Sequence, residues 1–256
     1  MTFKNYFLVL LLGHIIADFY IQSAEMAEKK EKKIRWVLLH SLSYWGGMLV
    51  VMLPFMSWNM LVIATEAGVG HSIIDLGKHL YKKLRKKENQ NRLDRNTFVM
   101  DQILHFSCLF LISYFAVVMK IELTELECVE QFFSVIQISE KSLLSGVLAV
   151  LLIYKPADIL IQKILKTYRP VSEIRDNKII IKDNNTGRII GMIERTIMLV
   201  FLVIGQYSSV GLVLTAKSIA RYDRIAKEKD FAEYYLLGTL LSTIIVVLSS
   251  FVIRIS

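Results

Sequence analysis

The chain has 256 residues, of which 54% are hydrophobic and only 3 are prolines, and its mean hydropathy is +0.46. Charged residues make up 21% and fall in clusters, a pattern that argues against a soluble globule of this length. It predicts an all-α fold, a polytopic transmembrane bundle of about six to eight membrane helices. The net charge of +8 is explained by Lys/Arg-rich loops between apolar spans, so no nucleic-acid partner is expected.

Apolar windows predict membrane helices, in chain order, at about 5–22, 36–56, 60–80, 97–119, 142–165, 189–213 and 234–253. The first window carries His14 and Asp18, and no small-residue cleavage site follows it. We therefore interpret it as a retained membrane helix and not as a signal peptide.

The segments between these windows alternate in charge. Residues 23–35, 81–96 and 166–188 are basic, whereas residues 120–141 are acidic. By the positive-inside rule the basic segments lie in the cytoplasm and the N-terminus lies outside. The predicted organisation is a four-helix membrane domain at 1–119, an acidic extracytoplasmic loop at 120–141, and C-terminal membrane helices at 142–256 that include the basic cytoplasmic loop at 166–188.

Two features of the second half leave its topology open. Residues 214–233 carry charges of both signs, yet simple parity places them outside. A bent or re-entrant pair of helices around "GQYSSVG" (205–211) would instead return them to the cytoplasm. The stretch "NKIIIKDNNTGRII" also has the pattern of a small hairpin that turns at Asn184 and Asn185.

Ionisable residues recur at helical spacing inside the first four predicted spans. "GHIIADF" holds His14 and Asp18, "GHSIIDLGK" repeats the spacing, and "DQILH" reverses it. Residues four apart share one face of an α-helix, so each pair projects two ligand-type groups to the same side. The complete set of predicted ligands is His14, Asp18, His40, His71, Asp75, Asp101 and His105.

These residues fall at matching depths when they are counted inward from the basic loops at 23–35 and 81–96. Asp18, His40, Asp75 and Asp101 lie about five residues in, and His14, His71 and His105 about nine or ten. At 1.5 Å per residue the two tiers are roughly 6 Å apart in the same half of the membrane. The four helices are thus predicted to present their ligands to one common interior.

Imidazole and carboxylate groups together suit a divalent metal, with Zn²⁺ the first choice and Mn²⁺ or Fe²⁺ as alternatives. Seven groups exceed what one tetrahedral ion needs, so either two ions share the site or some groups orient the ligands. The leading hypothesis is a metal-dependent hydrolase of a lipid-linked or phosphoester substrate near the cytoplasmic leaflet, with His40 as ligand or general base.

Three other interpretations remain open at this point. A single His/Asp pair in a membrane helix can be a simple interhelical hydrogen bond. The same residues would serve a metal-ion or proton transporter or channel, which predicts polar groups that continue through the other half of the membrane. A non-enzymatic scaffold or sensor with a structural metal predicts a closed set of ligands.

The motifs resemble the signature of a bacterial membrane-protein family described as a domain of unknown function. The resemblance rests on "GHIIADFYIQ", His40, "GHSIIDLGK" and "DQILH", and it extends to the C-terminal stretch "GRIIGMIERTIMLVFLVIGQYSSVGLVLTAKSIARY". It implies a multi-pass protein of the bacterial cytoplasmic (inner) membrane. The motif style is also distantly similar to LexA-regulated, membrane-bound predicted metal-dependent hydrolases, which implies metal-dependent hydrolysis by analogy.

The predicted partners are membrane lipids, including an anionic lipid or lipid-linked substrate. Lys78 lies one turn beyond Asp75 and is a candidate phosphate-binding residue, with a snorkelling anchor as the alternative. Arg195, Lys217 and Arg221 are candidates for a second headgroup pocket, with interfacial anchoring as their alternative. The sequence carries no signature of a particular oligomeric state.

Overall fold

The computed structural model describes residues 3–85, 90–168 and 184–255, and in these ranges the chain is all-α. Six helical segments are long and apolar enough to cross a membrane, judged by length and composition. They are Phe3–Ile21, Ile34–Phe55, Trp58–Leu84, Asn91–Val118, Glu140–Leu165 and Lys229–Arg254. The all-α, multi-pass helical architecture predicted from the sequence is therefore confirmed.

The chain divides into two compact units, Met1–Leu148 and Ala149–Ile255. The first unit begins with α1 (Phe3–Ile15), which continues into a π-helical turn at Ile16–Ile21. Its other helices are α2 (Ala24–Lys32), α3 (Ile34–Met52), α4 (Trp58–Leu84), α5 (Gln90–Val118), α6 (Glu127–Ile136) and α7 (Glu140–Ile153). A 3₁₀ turn at Leu53–Phe55 follows α3, and α7 crosses the boundary between the two units.

The basic segment 23–35 is not an extended loop, because α2 occupies most of it. Ser23 begins this helix, and its Oγ accepts a hydrogen bond from the backbone N–H of Met26. Lys82 of α4 binds both Glu31 of α2, at 2.7 Å, and Asp94 of α5, at 2.6 Å. These two ion pairs hold α2 against the ends of α4 and α5.

An apolar core fills the rest of the first unit, on the far side of the polar residues from α2. Its buried members are Tyr6, Val9, Leu10, Ala17, Tyr44, Met48, Met52, Phe55, Met60, Ile63, Ala64, Ala67, Leu109, Ala116 and Leu123. Helix α3 approaches the π-helical turn closely at Gly47. A Cβ at that position would lie 2.6 Å from Ile21 Cδ1 and 3.1 Å from Ala17 Cβ, so a larger residue there would force the Ile21 side chain to move.

The second unit contains α8 (Lys155–Leu165), α9 (Asn184–Val203), α10 (Tyr207–Ile219), α11 (Tyr222–Lys227) and α12 (Lys229–Ile255). A single span at 189–213 is wrong, because the chain breaks between α9 and α10 at Gly205, whose φ of +79° favours glycine. Lys217 of α10 lies back beside Glu194 of α9, at 2.6 Å. The two helices therefore form a helical hairpin, the alternative arrangement considered for this segment.

Some expectations for the second half fall partly outside the described residues. Residues 169–183 of the predicted basic loop lie there, as do residues 177–183 of the predicted hairpin. From Asn184 onward the described chain is helical and not a β-turn, since the segment belongs to α9.

Candidate metal centre

All seven predicted ligands meet inside the first unit. They come from four spans: His14 from α1, Asp18 from the π-helical turn, His40 from α3, and two each from α4 and α5. Every one of them is buried, with at most 7% of its surface exposed. Three groups of three residues each place one potential ligand atom per residue within 4.8 Å of the others: His14/His71/His105, Asp18/His40/His71 and Asp75/Asp101/His105.

The tightest arrangement surrounds His40. Its Nε2 lies 3.1 Å from Asp18 Oδ1 and 3.1 Å from His71 Nε2. Asp75 Oδ2 lies 3.4 Å from His40 Nε2 and 3.6 Å from His71 Nε2. Zinc bound tetrahedrally at about 2.0–2.2 Å separates its ligand atoms by about 3.3–3.6 Å. The distances from His40 Nε2 to Asp18, His71 and Asp75 are thus close to the separations between ligand atoms of one tetrahedral ion.

The deeper tier gathers around His71. Its ring stacks between Tyr44, with centroids 3.7 Å apart, and His105, with centroids 4.2 Å apart. His14 approaches the same group, and its Nδ1 lies 3.2 Å from the Tyr44 hydroxyl. The three residues expected at the greater depth are therefore also the three that form one group in space.

The third group lies toward α5. His105 Nε2 is 3.5 Å from Asp101 Oδ1. Gln102 links this group to the tight arrangement, because its Nε2 donates to Asp18 Oδ2 at 3.3 Å and to Asp101 Oδ2 at 3.4 Å. The amide thereby orients two carboxylates, a common arrangement around bound metals.

Two lysines reach the carboxylates of the cluster. Lys30 of α2 donates to Asp75 Oδ2 at 3.0 Å, and its ammonium lies 4.0 Å from Asp18 Oδ1. Lys78 of α4 donates to Asp101 Oδ2 at 2.6 Å. The prediction that Lys78 lies near the site is consistent with this contact. Lys30 was missed, because a lysine within a basic run is indistinguishable in sequence from a topology determinant.

Several imidazole nitrogens of the cluster make no hydrogen bond to the described residues. His14 Nε2, His40 Nδ1 and His71 Nδ1 are buried and find no partner among the described residues. Buried imidazole nitrogens normally have a hydrogen-bond partner, so unpaired ones call for an explanation. The donor set, four imidazoles and three carboxylates without thiolate, fits Zn²⁺, Mn²⁺ or Fe²⁺.

Asp18 lies in the π-helical turn at Ile16–Ile21, four residues after His14. The two residues belong to different groups that share His71, because His14 joins His71 and His105 whereas Asp18 joins His40 and His71. In the regular helix α4, His71 and Asp75 likewise belong to different groups. Such π-helical segments are frequent at functional sites. Nothing in the sequence spacing indicated the π-helical turn.

Arg195, one of the residues predicted to bind a lipid headgroup, contacts a backbone carbonyl group of the second unit. Arg195 is 3% exposed, and its Nε donates to the backbone carbonyl of Ile153 at 2.6 Å. This carbonyl lies at the break between α7 and α8, just before Pro156, where the regular helical bonding stops. Arg195 therefore caps a broken helix.

The other two residues of that predicted pocket have separate surroundings. Lys217 is paired with Glu194, and Arg221 is exposed between α10 and α11. Because Glu194 precedes Arg195 in α9, Lys217 lies close to Arg195 along the hairpin. Headgroup binding by these three residues stays a prediction.

The chain was compared with protein families, curated proteins and solved structures. No curated protein and no solved structure matches it. The family model described as "Protein of unknown function (DUF3307)" matches residues 6–134, about half of the chain, including every residue of the His/Asp cluster. The resemblance of the C-terminal stretch lies outside this match and stays a prediction. Residues 6–134 show that the chain belongs to the DUF3307 family.

Proposed function

We propose that this protein holds one or two divalent metal ions within its first four membrane spans and is a hydrolase of a lipid-linked or phosphoester substrate near the cytoplasmic leaflet. The observation that carries the proposal is the spacing around His40, where three ligand atoms from two other spans lie 3.1–3.4 Å from its Nε2. Three carboxylates beside four imidazoles would be costly to bury in a membrane without a cation.

The seven residues of the cluster would form groups with different roles. Asp18, His40 and His71 would hold the first ion, and Asp75, Asp101 and His105 would hold a second ion or orient the first set, with His14 beside His71 and His105. A divalent ion at such a site would supply Lewis-acid activation of water for hydrolysis. His40 is completely buried among three donor atoms, which supports the role of ligand over that of general base.

A structural metal is the second candidate, and the burial of the site favours it. Seven side chains that are at most 7% exposed leave little surface for a substrate to contact. The scaffold alternative therefore predicts that metal binds and stabilises the bundle without any metal-dependent reaction.

The transporter alternative receives less support. It requires polar groups that continue beyond the cluster, away from α2. There the described side chains between α1, α3, α4 and α5 include Met48, Ile63 and Leu109, which are buried and apolar. An ion would find few ligands along that route.

The test is metal analysis of the purified full-length protein beside the His71→Ala, Asp75→Ala double variant. We expect close to one or two equivalents of metal in the wild type and a loss of at least half in the variant. His79→Ala is the matched control, because His79 lies outside the cluster and contacts only the backbone oxygen of Lys30 among the described residues. Equal metal content in wild type and double variant would overturn the metal site.

Activity is tested separately by release of phosphate from a panel of phospholipid monoesters and diesters. Metal-dependent release that disappears in the double variant would support the hydrolase. A wild-type protein that carries its metal and releases nothing from any member of the panel would favour the structural role.

A further inference from the structure

We infer that Lys30 and Lys78 form an anion subsite beside the His/Asp cluster, and that its ligand is a phosphate group. This inference rests on the proposed metal site and specifies the chemistry that the loaded site would bind. Lys30 had no assigned role in the sequence, and the structure places its ammonium 3.0 Å from Asp75 Oδ2.

The two ammonium groups contact different carboxylates of the cluster. Lys30 reaches Asp75 and Asp18, whereas Lys78 reaches Asp101. Their side chains are only 13% and 18% exposed, so both have left bulk water. Lysines that snorkel to the interface would instead keep their charged ends exposed. The ammonium groups of Lys30 and Lys78 are directed into the protein, where a buried positive charge requires a compensating negative partner.

The formal charge of the cluster decides which kind of ligand fits. Three carboxylates and two ammonium groups give the cluster a net charge of −1 when its four imidazoles are neutral. Imidazoles must be neutral to bind a metal ion. One divalent ion changes this net charge to +1, and two ions change it to +3. A buried net positive charge is unfavourable unless an anion neutralises it. The metal-loaded site therefore calls for an anionic ligand and disfavours a neutral one.

The donors favour phosphate among the anions. Each ammonium offers three N–H donors, and each carboxylate contact uses one of them, so donors remain on both lysines. Lysine binds phosphate as a point charge, and a tetrahedral phosphate has enough oxygens to contact two ammonium groups and a metal together. Phosphate carries one to two negative charges, which compensates the positive charge of a site with one ion.

The position of Lys30 indicates how the ligand would enter. Lys30 belongs to α2, which lies outside the six candidate spans, between the first two. Gln22 lies beside it: with its amide turned to satisfy both neighbours, Gln22 Oε1 accepts from Lys30 at 3.0 Å. The subsite thus faces the aqueous boundary at the basic segments. Both a lipid headgroup and a free phosphate could reach it from there.

The experiment measures binding of inorganic phosphate and of phosphatidic acid, in separate arms, to the metal-loaded full-length protein. Equilibrium dialysis with labelled phosphate serves the first arm, and titration with bicelles that contain phosphatidic acid serves the second. We expect saturable binding that requires metal. Lys30→Gln and Lys78→Gln should each weaken it about tenfold or more, the effect of losing one charge-assisted hydrogen bond.

Lys29→Gln is the matched control, because Lys29 is the adjacent residue of the same helix and pairs with Glu25 at the exposed surface. It should change the affinity less than about twofold. Lys30→Arg keeps the charge and should retain most of the binding, which separates loss of the ammonium from a local folding defect. Binding in one arm only would identify the source of the phosphate, as lipid headgroup or as soluble ion.

Two outcomes would overturn the inference, and they differ in what they say of the metal site. If the wild type retains its metal but binds phosphate in neither arm, or if Lys29→Gln and Lys30→Gln behave alike, the subsite is wrong and the metal site stands. If the wild type retains no metal, the proposed function fails and the subsite fails with it.

Discussion

His40 and His71 approach each other through their Nε2 atoms, which lie 3.1 Å apart at the centre of the cluster. Two imidazole nitrogens at this distance cannot both carry a proton, because a hydrogen bond needs one donor and one acceptor. A cation that accepts both lone pairs would satisfy them equally well. The contact between α3 and α4 is therefore compatible with neutral imidazoles, the form that binds metals.

The first prediction concerns this contact. His40→Gln should lower the zinc affinity of the purified protein by at least about 10–100-fold, the range seen when even outer-shell partners of a metal are lost. His79→Gln should leave the affinity within a few-fold of the wild type, since His79 bonds to the Lys30 backbone and not to the cluster. Competition with a chromophoric chelator measures both. Similar affinities for the two variants would contradict the assignment of His40.

Metal should also stabilise the folded protein. A ligand that binds only the folded state adds about 2.7 kcal/mol when its free concentration is 100 times Kd. Thermal unfolding in detergent should therefore shift upward on addition of Zn²⁺ and downward on chelation. The His71→Ala, Asp75→Ala variant supplies the control, and an equal shift in that variant would point to metal binding elsewhere.

The close approach at Gly47 gives a steric prediction. In Gly47→Ala the new methyl group would collide with Ile21 and Ala17 of the π-helical turn, at a cost of about 1–3 kcal/mol. Because Asp18 lies in the same turn, zinc affinity should fall as well. Gly46→Ala has no heavy atom within 4 Å of the new Cβ and should be neutral or slightly stabilising. Equal unfolding temperatures of the two variants would refute the packing argument.

Arg195 should matter for stability and not for metal. Arg195→Met removes the donor to the Ile153 carbonyl and leaves that buried acceptor unsatisfied, which costs about 1–3 kcal/mol. Metal content should stay at the wild-type value, because Arg195 belongs to the second unit and all seven cluster residues belong to the first. Arg188→Met, at an exposed position of the same helix, should have little effect. Loss of metal in Arg195→Met would show that the residue acts on the cluster.

Helix α2 should open more often when the ion pairs of Lys82 are removed. Lys82→Gln breaks the ion pairs to Glu31 and Asp94, a small network worth about 1 kcal/mol at most. Hydrogen exchange of residues 24–32 should accelerate up to about fivefold. Lys32→Gln removes only the pair with Glu28 inside the same helix and should change exchange less. Unchanged exchange in Lys82→Gln would mean that other contacts hold α2.

The sequence predicts much of the cluster, because depth in a membrane is set by residue count along a helix. Counting from the basic segments placed His14, His71 and His105 in one tier, and they form one group in the structure. Rotation about the helix axis is harder to predict. The π-helical turn at Ile16–Ile21 lies directly against α3 at Gly47, and residue spacing alone did not indicate that Asp18 would join His40 and His71 and not His14.

The parts that could not be predicted depend on contacts distant in sequence. Lys30 becomes part of the site only because α2 packs on α4, which no local pattern reveals. Arg195 was a candidate for headgroup binding or interfacial anchoring, and its bond to the Ile153 carbonyl depends on a helix break 42 residues earlier. The positive φ of Gly205, which ends α9, was similarly hidden inside an apolar run.

The π-helical turn at Ile16–Ile21 also affects how this chain can vary in length. Its turn holds one residue more than a regular α-helical turn, so removing one residue there would restore the regular spacing. The residues before and after the turn would keep nearly the same rotational phase, because the removed residue is the one by which a π-helical turn exceeds an α-helical turn. In the regular helices α4 and α5, by contrast, one deletion would rotate every residue beyond it by about 100°. The π-helical turn should therefore tolerate the loss of one residue after Asp18 better than α4 or α5 tolerates a deletion within its length.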